Sequence, residues 1–483
     1  MSPLWTSQAV VDATNGRLQG ASWNATGVSI DTRTLSPGDL FVALKDVRDG
    51  HDFVALALEN GAAAALVSRV PDGIGPDARL IVVDDVLTAL EHLGIAARAR
   101  TKAKVVAITG SAGKTSTKEM LRHVLASQGK THAAEASYNN HWGVPLTLAR
   151  MPAETDFAVI EIGMSNPGEI EPLARLARPH VAVVTTVAAA HLEAFDNIDG
   201  IAVEKAAIFR GLEPGGTAIF NADVETAPIL NAEAKLCADR RLGFGEHGDA
   251  ALRASNVTLT GSVSVVEGQF AGFDFLMKVG APGRHFAMNA LAVYGVASVL
   301  GIDMDIAVCD IGTWKAPAGR GQRETVVLDQ FEQLSFELID DAFNANPLSM
   351  RAALEVLAAI APGRTVGGVS NGRRVAILGD MLELGADEAQ MHSALVDHPS
   401  VTCIDIVHCV GPRMRSLFDV LPGDKRGIWT ETADELQAKA HTLVKAGDVV
   451  LVKGSKGSKV SLVVEALKRL SRAPLSSEEK ETA

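Results

Sequence analysis

The residues with the clearest chemical meaning form a glycine-bracketed loop at positions 110–115, which follows an apolar stretch and ends in Gly-Lys-Thr. Gly110 and Gly113 leave backbone N–H groups free to point at an anion, and Lys114 adds a positive charge beside them. The hydroxyl of Thr115 is a suitable ligand for Mg²⁺. This order of residue types predicts a site that holds the phosphates of ATP or GTP during hydrolysis or transfer.

The segments around the loop supply the strand and the helix that such a site needs. Residues 105–109 predict a buried strand, and the residues after the loop predict an amphipathic helix with one apolar face: Met120, Leu121, Val124 and Leu125. Strand, loop and helix together argue against a chance glycine-rich turn. The loop is a shortened variant, because Ile108 stands where the common GxxxxGK pattern has its first glycine.

Two further polar residues follow or close apolar segments. Glu161 lies in the otherwise apolar residues 157–163, and His191 comes a few positions after the apolar residues 180–187. Ligands bind at the carboxyl edge of open parallel sheets, so this pair is a candidate for a second Mg²⁺ site. Histidine is an unusual ligand for that cation, and a structural histidine is the alternative interpretation.

Lys205 is unusual because of the face of the helix on which it falls. It shares that face with Ile201 and Ile208 by three- and four-residue spacing, so we expect it to point inward. A lysine that snorkels to the surface is one interpretation. The other is a catalytic or chemically modified group beside a metal site.

Polar residues are also dense where a third group of strands begins. Asp340 and Asp341 end an apolar strand and run into the turn at residues 343–347. The two carboxylates can orient an incoming amine or hold a nucleotide-bound metal, whereas Asn344 or Asn346 can simply cap a helix. Arg320, at the inferred junction between domains, can clamp phosphate when domains close; a solvated linker is the alternative.

Composition excludes several classes of function. The chain has 483 residues, 47% hydrophobic and 21% charged, which is typical of a folded enzyme with large cores. Its formal net charge of -13 opposes binding to nucleic acid and favours small-molecule substrates. The four cysteines show no metal-binding or disulfide spacing, and we expect them to be reduced, buried thiols.

The ends of the chain and its apolar runs bear on location. The first ten residues carry no Lys or Arg and no apolar core of the kind that signal peptides have, and no apolar run is long enough to span a bilayer. We therefore expect a cytoplasmic protein.

The order of apolar and polar segments predicts an α/β protein of three domains. Residues 1–102 predict a small α/β domain, residues 103–315 a central parallel-sheet domain around the phosphate loop, and residues 316–472 a doubly wound, Rossmann-like domain. We expect residues 473–483 to be a disordered tail. The glycine-rich residues 363–372 predict a flexible surface loop, since no helix with a lysine follows at the right distance.

Seven segments occur in the order seen in the Mur ligases, which the chain resembles over nearly its whole length. They are TGSAGKTSTK (109–118), YNNHWGVPLTL (138–148), HLEAF (191–195), Asn289 within HFAMNALAV, GRG (319–321), DDAFNANPLSM (340–350) and GDMLELG (379–385). Within that family, the NANP and GDMLELG segments are similar to the ligases that join D-Ala-D-Ala to UDP-N-acetylmuramoyl-tripeptide.

The resemblance implies an ATP-driven amide synthesis. The tripeptide carboxylate would attack the γ-phosphate, an acyl phosphate would form, and the amine of the dipeptide would displace phosphate. Mg²⁺, in one or two sites, and CO₂, as a lysine carbamate, are the implied cofactors. A Mur or folylpolyglutamate-type ligase that adds a different amino acid is the near alternative, and a P-loop switch protein is the alternative from another class. We expect a monomer; the third residue of the peptide cannot be predicted.

The resemblance also implies roles for particular residues. Lys114, His191 and Lys205 would serve catalysis, with Thr115, Glu161, His191 and carbamylated Lys205 around the metal. ATP would contact Gly110, Ser111, Ala112, Gly113, Lys114, Thr115, Ser116, Asn289, Arg320 and Asp341. The UDP-muramoyl substrate would contact Asp31, Thr32, Arg33, His51, Ser137, Asn139 and Asn140. The dipeptide would contact Asn344, Asn346, Lys453 and Ser455.

The chain departs from the family pattern in two places. Around Lys205 it reads AVEKAAIF where many relatives have an AKGEI-like sequence. Residues 363–372 look inserted before the GDMLELG segment.

Overall fold

The structure, a computed structural model, describes residues 3–190, 192–331, 333–363 and 372–472. His191, residues 364–371 and the tail at 473–483 therefore lie outside the described residues, and the predictions made for them stay predictions. The described residues form an α/β protein with three main sheets, which confirms the predicted fold class.

The first sheet has five strands and forms the N-terminal part of the protein. Its order is β2-β7-β6-β5-β4, parallel except where β2 meets β7. A two-stranded pair and three helices accompany it. The elements are β1 (Trp5–Thr6), α1 (Ser7–Thr14), β2 (Arg17–Gln19), β3 (Asn24–Ala25), β4 (Gly27–Ser29), β5 (Asp39–Val42), α2 (Val54–Glu59), β6 (Ala64–Val67), β7 (Leu80–Val82) and α3 (Val86–Arg100).

The second sheet has nine strands in the order β16-β15-β14-β13-β12-β11-β8-β10-β9. Its strands are β8 (Lys104–Thr109), β9 (Thr131–Ala133), β10 (Phe157–Glu161), β11 (Val181–Val184), β12 (Thr217–Asn221), β13 (Arg240–Gly245), β14 (Leu252–Leu259), β15 (Ser264–Phe270) and β16 (Phe273–Val279). Seven strands, from β9 across to β14, run parallel as predicted. The antiparallel extension through β15 and β16 was not predicted.

Helices cover both faces of this sheet because β8, β10 and β11 are almost wholly apolar and buried. These helices are α4 (Lys114–Ala126), α5 (Gly143–Ala149), α6 (Ile170–Ala177), α7 (Ile198–Ala206), α8 (Ala227–Cys237), α9 (Arg284–Leu300) and α10 (Met304–Thr313). One core packs α4, α9 and α10 on one face, and a second core packs α5 to α8 on the other.

The third sheet has six strands in the order β17-β18-β22-β19-β20-β21, parallel except for the β17–β18 pair. Its elements are β17 (Gln322–Asp329), β18 (Leu334–Asp341), α11 (Pro347–Ala359), β19 (Arg374–Gly379), α12 (Glu388–Ser393), β20 (Ile406–Val410), α13 (Arg415–Val420), β21 (Arg426–Thr430), α14 (Ala433–Gln437), α15 (Ala440–Leu443), β22 (Val449–Lys453) and α16 (Ser461–Arg469). This is the doubly wound arrangement expected from the sequence.

None of the described helices is long and apolar enough to cross a membrane.

Candidate active site

The glycine-bracketed loop joins the end of β8 to the start of α4, at the carboxyl edge of the central sheet. Gly110 has φ of 154°, and a Cβ there would lie 2.0 Å from Thr185 Oγ1, so no other residue fits without displacement. Ser111 N donates to Thr186 O at 2.9 Å, and Thr185 Oγ1 donates to Ala112 O at 2.6 Å. The neighbouring strand therefore holds the loop in shape from outside.

The start of α4 is suited to bind an anion. Gly113, with φ of 82°, is the N-cap and offers no side chain to the first-turn amides, which are left for a ligand. Lys114 Nζ lies over the loop and donates to Gly110 O at 2.7 Å. Burial lowers the pKa of Lys114, Glu161 partly opposes this change, and Arg320 adds to it. Among the described residues Lys114 donates only to a backbone carbonyl, and phosphate oxygens would give its ammonium a negatively charged partner.

Thr115 and Glu161 meet below the loop. Thr115 Oγ1 donates to Glu161 Oε1 at 3.2 Å, and Asn139 Nδ2 donates to the same oxygen at 2.8 Å. Glu161 is 1% exposed, and its Oε2 is buried without a hydrogen-bond partner. An orphaned carboxylate oxygen beside a hydroxyl fits a hard divalent cation that takes its remaining ligands from phosphate and water.

No group of three or more His, Cys, Asp or Glu residues that could hold a metal occurs in the described residues. The donors available for a cation at this point are thus the Thr115 hydroxyl and the Glu161 carboxylate. His191, the third expected ligand, lies outside the described residues.

Lys205 points inward, as its helical face predicted, and is 1% exposed. No described residue accepts a hydrogen bond from its Nζ. Burial lowers the pKa of Lys205 well below its usual range, nearby Lys114 lowers it further, and Glu204 partly offsets both. The snorkelling interpretation is excluded by this burial.

Residues in the loops that flank β17 and β18 lie on the other side of the site. Arg320 lies with its guanidinium carbon 4.0 Å from the centre of the Phe343 ring, and its Nη2 donates to Ser137 Oγ at 3.4 Å. Burial lowers the pKa of Arg320, while Glu161 and Asp341 act in the opposite direction. Arg320 therefore reaches across from the third region to the central one.

Asp341 and Lys453 form an ion pair at the ends of β18 and β22. Lys453 Nζ donates to Asp341 Oδ2 at 2.7 Å and to Asn344 O at 3.0 Å. Burial raises the pKa of Asp341, and the Lys453 ammonium opposes that rise. The pair fixes the turn that follows β18.

Asn346 caps α11, so the helix-cap interpretation is correct for this residue. Its side chain accepts from Ser349 N at 2.9 Å, and Ser349 Oγ accepts in return from Asn346 N at 3.0 Å. The same side chain also donates through Nδ2 to Ser111 O at 3.3 Å. One amide thus starts a helix in the third region and contacts the phosphate loop.

Most of these groups line a cavity of about 670 Å³ between the central and third regions. Among the residues that line it are many of those expected from the sequence to bind ATP, the metal or the peptides: Ser111, Ala112, Gly113, Lys114, Ser116, Ser137, Asn139, Asn140, Glu161, Asn289, Arg320, Asp341, Asn344, Asn346 and Lys453. Asn289 lies against the phosphate loop, because a Cβ on Gly113 would come within 2.6 Å of its Oδ1.

Other predicted residues do not line that cavity. Gly110, Thr115 and Lys205 lie behind its wall. Ser455 is buried, donates to Ala345 O at 3.2 Å and accepts from Leu382 N at 3.0 Å, so its hydroxyl is engaged within the third region.

The four predicted residues of the first sheet also lie away from the cavity. Arg33 Nε and Nη2 donate to the carboxylate of Asp31 at 2.9 and 2.5 Å, beside Thr32. His51 is 4% exposed; its Nδ1 lies 2.6 Å from Asp49 Oδ1, and its Nε2 accepts from Ser68 N at 2.9 Å. Both ring nitrogens are therefore used inside the first sheet.

Sequence reasoning missed Lys118, which is 0% exposed. Its Nζ donates to Ala134 O at 2.7 Å and lies 2.8 Å from Glu119 Oε1. A signal was available, since Lys118 falls three residues before Leu121 and seven before Leu125 on the apolar face of α4. Missed too was His285, whose buried Nδ1 has no hydrogen-bond partner and whose pKa burial lowers to about 3.

Three family models match the chain: "Mur ligase family, catalytic domain" at residues 24–93, "Mur ligase middle domain" at 108–297 and "Mur ligase, glutamate ligase domain" at 327–456. The UDP-N-acetylmuramoyl-tripeptide--D-alanyl-D-alanine ligase of Escherichia coli (strain K12) is 36% identical over 470 residues, 96% of this chain and 98% of the relative.

Solved structures agree with these matches. MurF from Acinetobacter baumannii superposes with a TM-score of 0.81 at 28% identity, covering 96% of this chain and 99% of that one. MurF ligase from Thermotoga maritima in complex with ADP gives a TM-score of 0.76 at 25% identity, covering 92% of this chain and 98% of that one. The phosphate loop, the cavity that it shares with the third region and these likenesses have one explanation: the chain belongs to the Mur ligase family.

Proposed function

We propose that the protein is an ATP-dependent ligase that joins D-Ala-D-Ala to UDP-N-acetylmuramoyl-tripeptide. The products are UDP-N-acetylmuramoyl-pentapeptide, ADP and phosphate, a step in the synthesis of peptidoglycan precursors. The observation that carries this proposal is a cavity lined by the phosphate loop, by Ser137, Asn139 and Asn140, and by the turn after β18. Such a cavity would allow a nucleotide, a peptide carboxylate and an amine to meet at one point. The name of the Escherichia coli relative supplies the identity of the two peptides.

The first half-reaction moves the γ-phosphate. A carboxylate oxygen of the tripeptide attacks phosphorus, the bond to the β-phosphate oxygen breaks, and ADP leaves as the acyl phosphate forms. Lys114 and the amides at the start of α4 balance the charge on the phosphates, and Arg320 adds a second cation from the third region. Asn289 would contact adenine, and Asp341 would reach the nucleotide.

The second half-reaction makes the amide. The dipeptide amine attacks the acyl carbon, loses a proton, and phosphate leaves. Asn344, Asn346, Lys453 and Ser455 are the proposed dipeptide residues. Because the Ser455 hydroxyl already bonds to Ala345 O and Leu382 N, its proposed part is to shape the turn.

Mg²⁺ is the proposed metal, held by Thr115, Glu161 and His191. The orphaned Glu161 Oε2 supports this assignment. When bound, the ion neutralises charge on the transferred phosphoryl group. A second Mg²⁺ is also proposed, for which Glu161 and His191 are the candidate ligands and carbamylated Lys205 a further carboxylate near the metal.

Carbamylation of Lys205 is proposed on the basis of its burial and its neighbour. Burial and the nearby Lys114 both lower the pKa of Lys205, so a positive charge is disfavoured at this position, whereas the negative charge of a carbamate would be attracted to Lys114. Its nitrogen bonds to the carbon of CO₂ and releases one proton.

The remaining assignments concern the rest of the molecule. Residues 1–102, 103–315 and 316–472 are proposed as three domains that bind the UDP substrate, ATP and the dipeptide. Asp31, Thr32, Arg33 and His51 would contact the uridine nucleotide, and Ser137, Asn139 and Asn140 the muramoyl part. We further propose a cytoplasmic monomer.

Phosphate release tests the function. The purified protein with ATP and Mg²⁺ is expected to release phosphate only when both the UDP-tripeptide and D-Ala-D-Ala are present. A single free amino acid in place of the dipeptide is expected to give no turnover, and rapid turnover with it would refute the assignment.

A further inference from the structure

The glutamate next to Lys205 stands at a different position from that of the family pattern. Aligned on Lys205, an AKGEI-like segment has its glutamate at position 207, where this chain has Ala207. This chain has Glu204 instead, directly before the lysine. Residues three apart are neighbours on a helix surface, so both positions lie on one side of the helical residues 198–211. The chain therefore keeps a carboxylate on this side, one turn earlier.

Glu204 caps α6 from the neighbouring helix α7. Its side chain is buried, Oε2 accepts from Gly168 N at 2.8 Å, and Oε1 accepts from Ile170 N at 2.8 Å. Glu169, the N-cap residue of α6, makes no side-chain bond to the first-turn amides. Two amides and the positive end of the helix therefore compensate the charge of the buried Glu204 carboxylate.

The loop between β10 and α6 lines the cavity through Gly163, Met164, Ser165 and Glu169. At its start, Gly163 N donates to Asn139 O at 2.7 Å. Within it, Glu169 Oε2 accepts from Ser165 N at 2.7 Å. Asn139 is one of the proposed muramoyl contacts, so this loop lies on the peptide side of the cavity. Glu204 holds the end of the loop through its bond to Gly168 N.

The helix that Glu204 fastens to α6 also carries Lys205. Consecutive residues of a helix point about 100° apart, so Glu204 can face α6 while Lys205 faces elsewhere. Lys205 is buried, and Lys114 is near enough to lower its pKa. A shift of α7 relative to α6 would therefore move Lys205 relative to Lys114.

We propose that Glu204 is a positioning residue that holds together the loop at 163–169, on the peptide side of the cavity, and the helix that presents Lys205. The inference rests on the proposed function and adds to it a residue that does not line the cavity. Loss of its two hydrogen bonds should weaken binding of the UDP-tripeptide and slow turnover. Binding of ATP should change little, because Thr185 and Thr186 hold the phosphate loop from another side.

Glu204→Gln tests the cap with almost no change of shape. The side-chain amide accepts through its oxygen only, so one of the Gly168 and Ile170 amides loses its acceptor. Exchange of these two amide hydrogens with solvent, followed by mass spectrometry of the peptide that contains them, should become about 10-fold faster.

Kinetic constants then separate positioning from stability. In Glu204→Gln the KM for the UDP-tripeptide should rise about 10-fold and kcat should fall about 5- to 10-fold, whereas the KM for ATP should stay within about twofold. Glu204→Ala, which keeps neither acceptor, should show larger changes of the same kind.

Glu171→Gln is the matched control. Glu171 lies in the first turn of the same helix, but its carboxylate pairs with Arg175 and Arg210 at 2.8 Å each. This variant should keep native exchange at the two amides and native kinetic constants. Unchanged exchange in Glu204→Gln would overturn the cap, and faster exchange with native KM and kcat would overturn the positioning role. The exchange experiment needs no substrate, so failure of the native enzyme to release phosphate would refute the proposed function alone.

Discussion

The side-chain amide of Asn346 donates to the backbone carbonyl of Ser111 at 3.3 Å, across the cavity between the third sheet and the phosphate loop. The oxygen of the same amide caps α11 through Ser349 N at 2.9 Å. Formation of the helix and seating of the third region on the loop are therefore linked through one residue.

Replacing Asn346 by serine separates these two contacts. Serine is also a good N-cap, so α11 should keep its start, and the thermal midpoint should change little. The donor to Ser111 is lost, and we expect kcat to fall about 5- to 10-fold, as for one neutral hydrogen bond. Asn346→Ala, which loses the cap as well, should also destabilise the protein by about 1 kcal/mol. An unchanged kcat in Asn346→Ser would show that the contact has no part in turnover.

Lys114→Ala removes the cation nearest to the loop. We expect kcat to fall by about 10²- to 10³-fold or more, because the γ-phosphate loses a positioned positive charge as it transfers. Initial rates of phosphate release at saturating substrates measure the effect. Lys130→Ala, at an exposed position, is the matched control and should remain active. A Lys114→Ala enzyme with a near-native rate would contradict the phosphate-loop assignment.

Features that depend on local pattern could be predicted from the sequence. The strand before the loop, the parallel core of the central sheet and the inward direction of Lys205 all follow from residue types at fixed spacing. The carboxyl-edge position of Glu161 follows from its place at the end of a buried strand, and the structure puts it beside Thr115 at 3.2 Å.

Features that depend on pairing in three dimensions could not be predicted in this way. Ser455 has a suitable residue type and chain position, yet its hydroxyl bonds to Ala345 O and Leu382 N, which are distant in sequence. Strand β15 has the alternating burial of a sheet with one exposed face. However, β14 pairs parallel with β13, and the sheet becomes antiparallel only where β14 pairs with β15. This change of direction depends on which strands pair and is visible only in the structure.

Lys118→Met tests a positioning residue. Lys118 is 0% exposed and holds Ala134 O at 2.7 Å, at the start of the segment that brings Asn139 to Glu161. We expect the KM for the UDP-tripeptide to rise about 10-fold while the KM for ATP changes less, because a charged hydrogen bond to that segment is lost. The thermal midpoint should also fall. A lower midpoint with both KM values unchanged would limit Lys118 to a structural role.

His408 predicts how stability depends on pH. It is 5% exposed, its Nδ1 accepts from Ile428 N at 2.9 Å, and its Nε2 is buried without a partner. Burial lowers the pKa of His408 to about 4 from 6.5, so the unfolded chain takes up the proton first as pH falls. The contribution of His408 to the free energy of unfolding is fully present above pH 6.5 and is lost as the pH falls towards 4. This loss amounts to at most about 3 kcal/mol.

The matched variant for this effect is His408→Asn, which keeps an acceptor for Ile428 N but does not titrate in that range. Urea unfolding midpoints from pH 7.5 to 4.5 should decline less steeply for the variant than for the native protein. Parallel curves would show that His408 does not contribute to acid sensitivity.

Lys205→Ala tests the carbamate. The variant loses the proposed carboxylate beside the metal, and we expect a loss of at least about 10²-fold in kcat, the scale of one preorganised electrostatic contact. Added formate or acetate should restore part of the activity, because a small carboxylate can occupy the space that the truncated side chain leaves. The native enzyme should also lose activity in CO₂-depleted buffer and regain it with bicarbonate.

Lys235→Ala, outside the cavity, is the control for carboxylate addition and should show no gain. Full activity of Lys205→Ala, or no response of the native enzyme to CO₂, would rule out the carbamate; burial of Lys205 would then need another explanation, such as repulsion that keeps Lys114 turned towards Gly110.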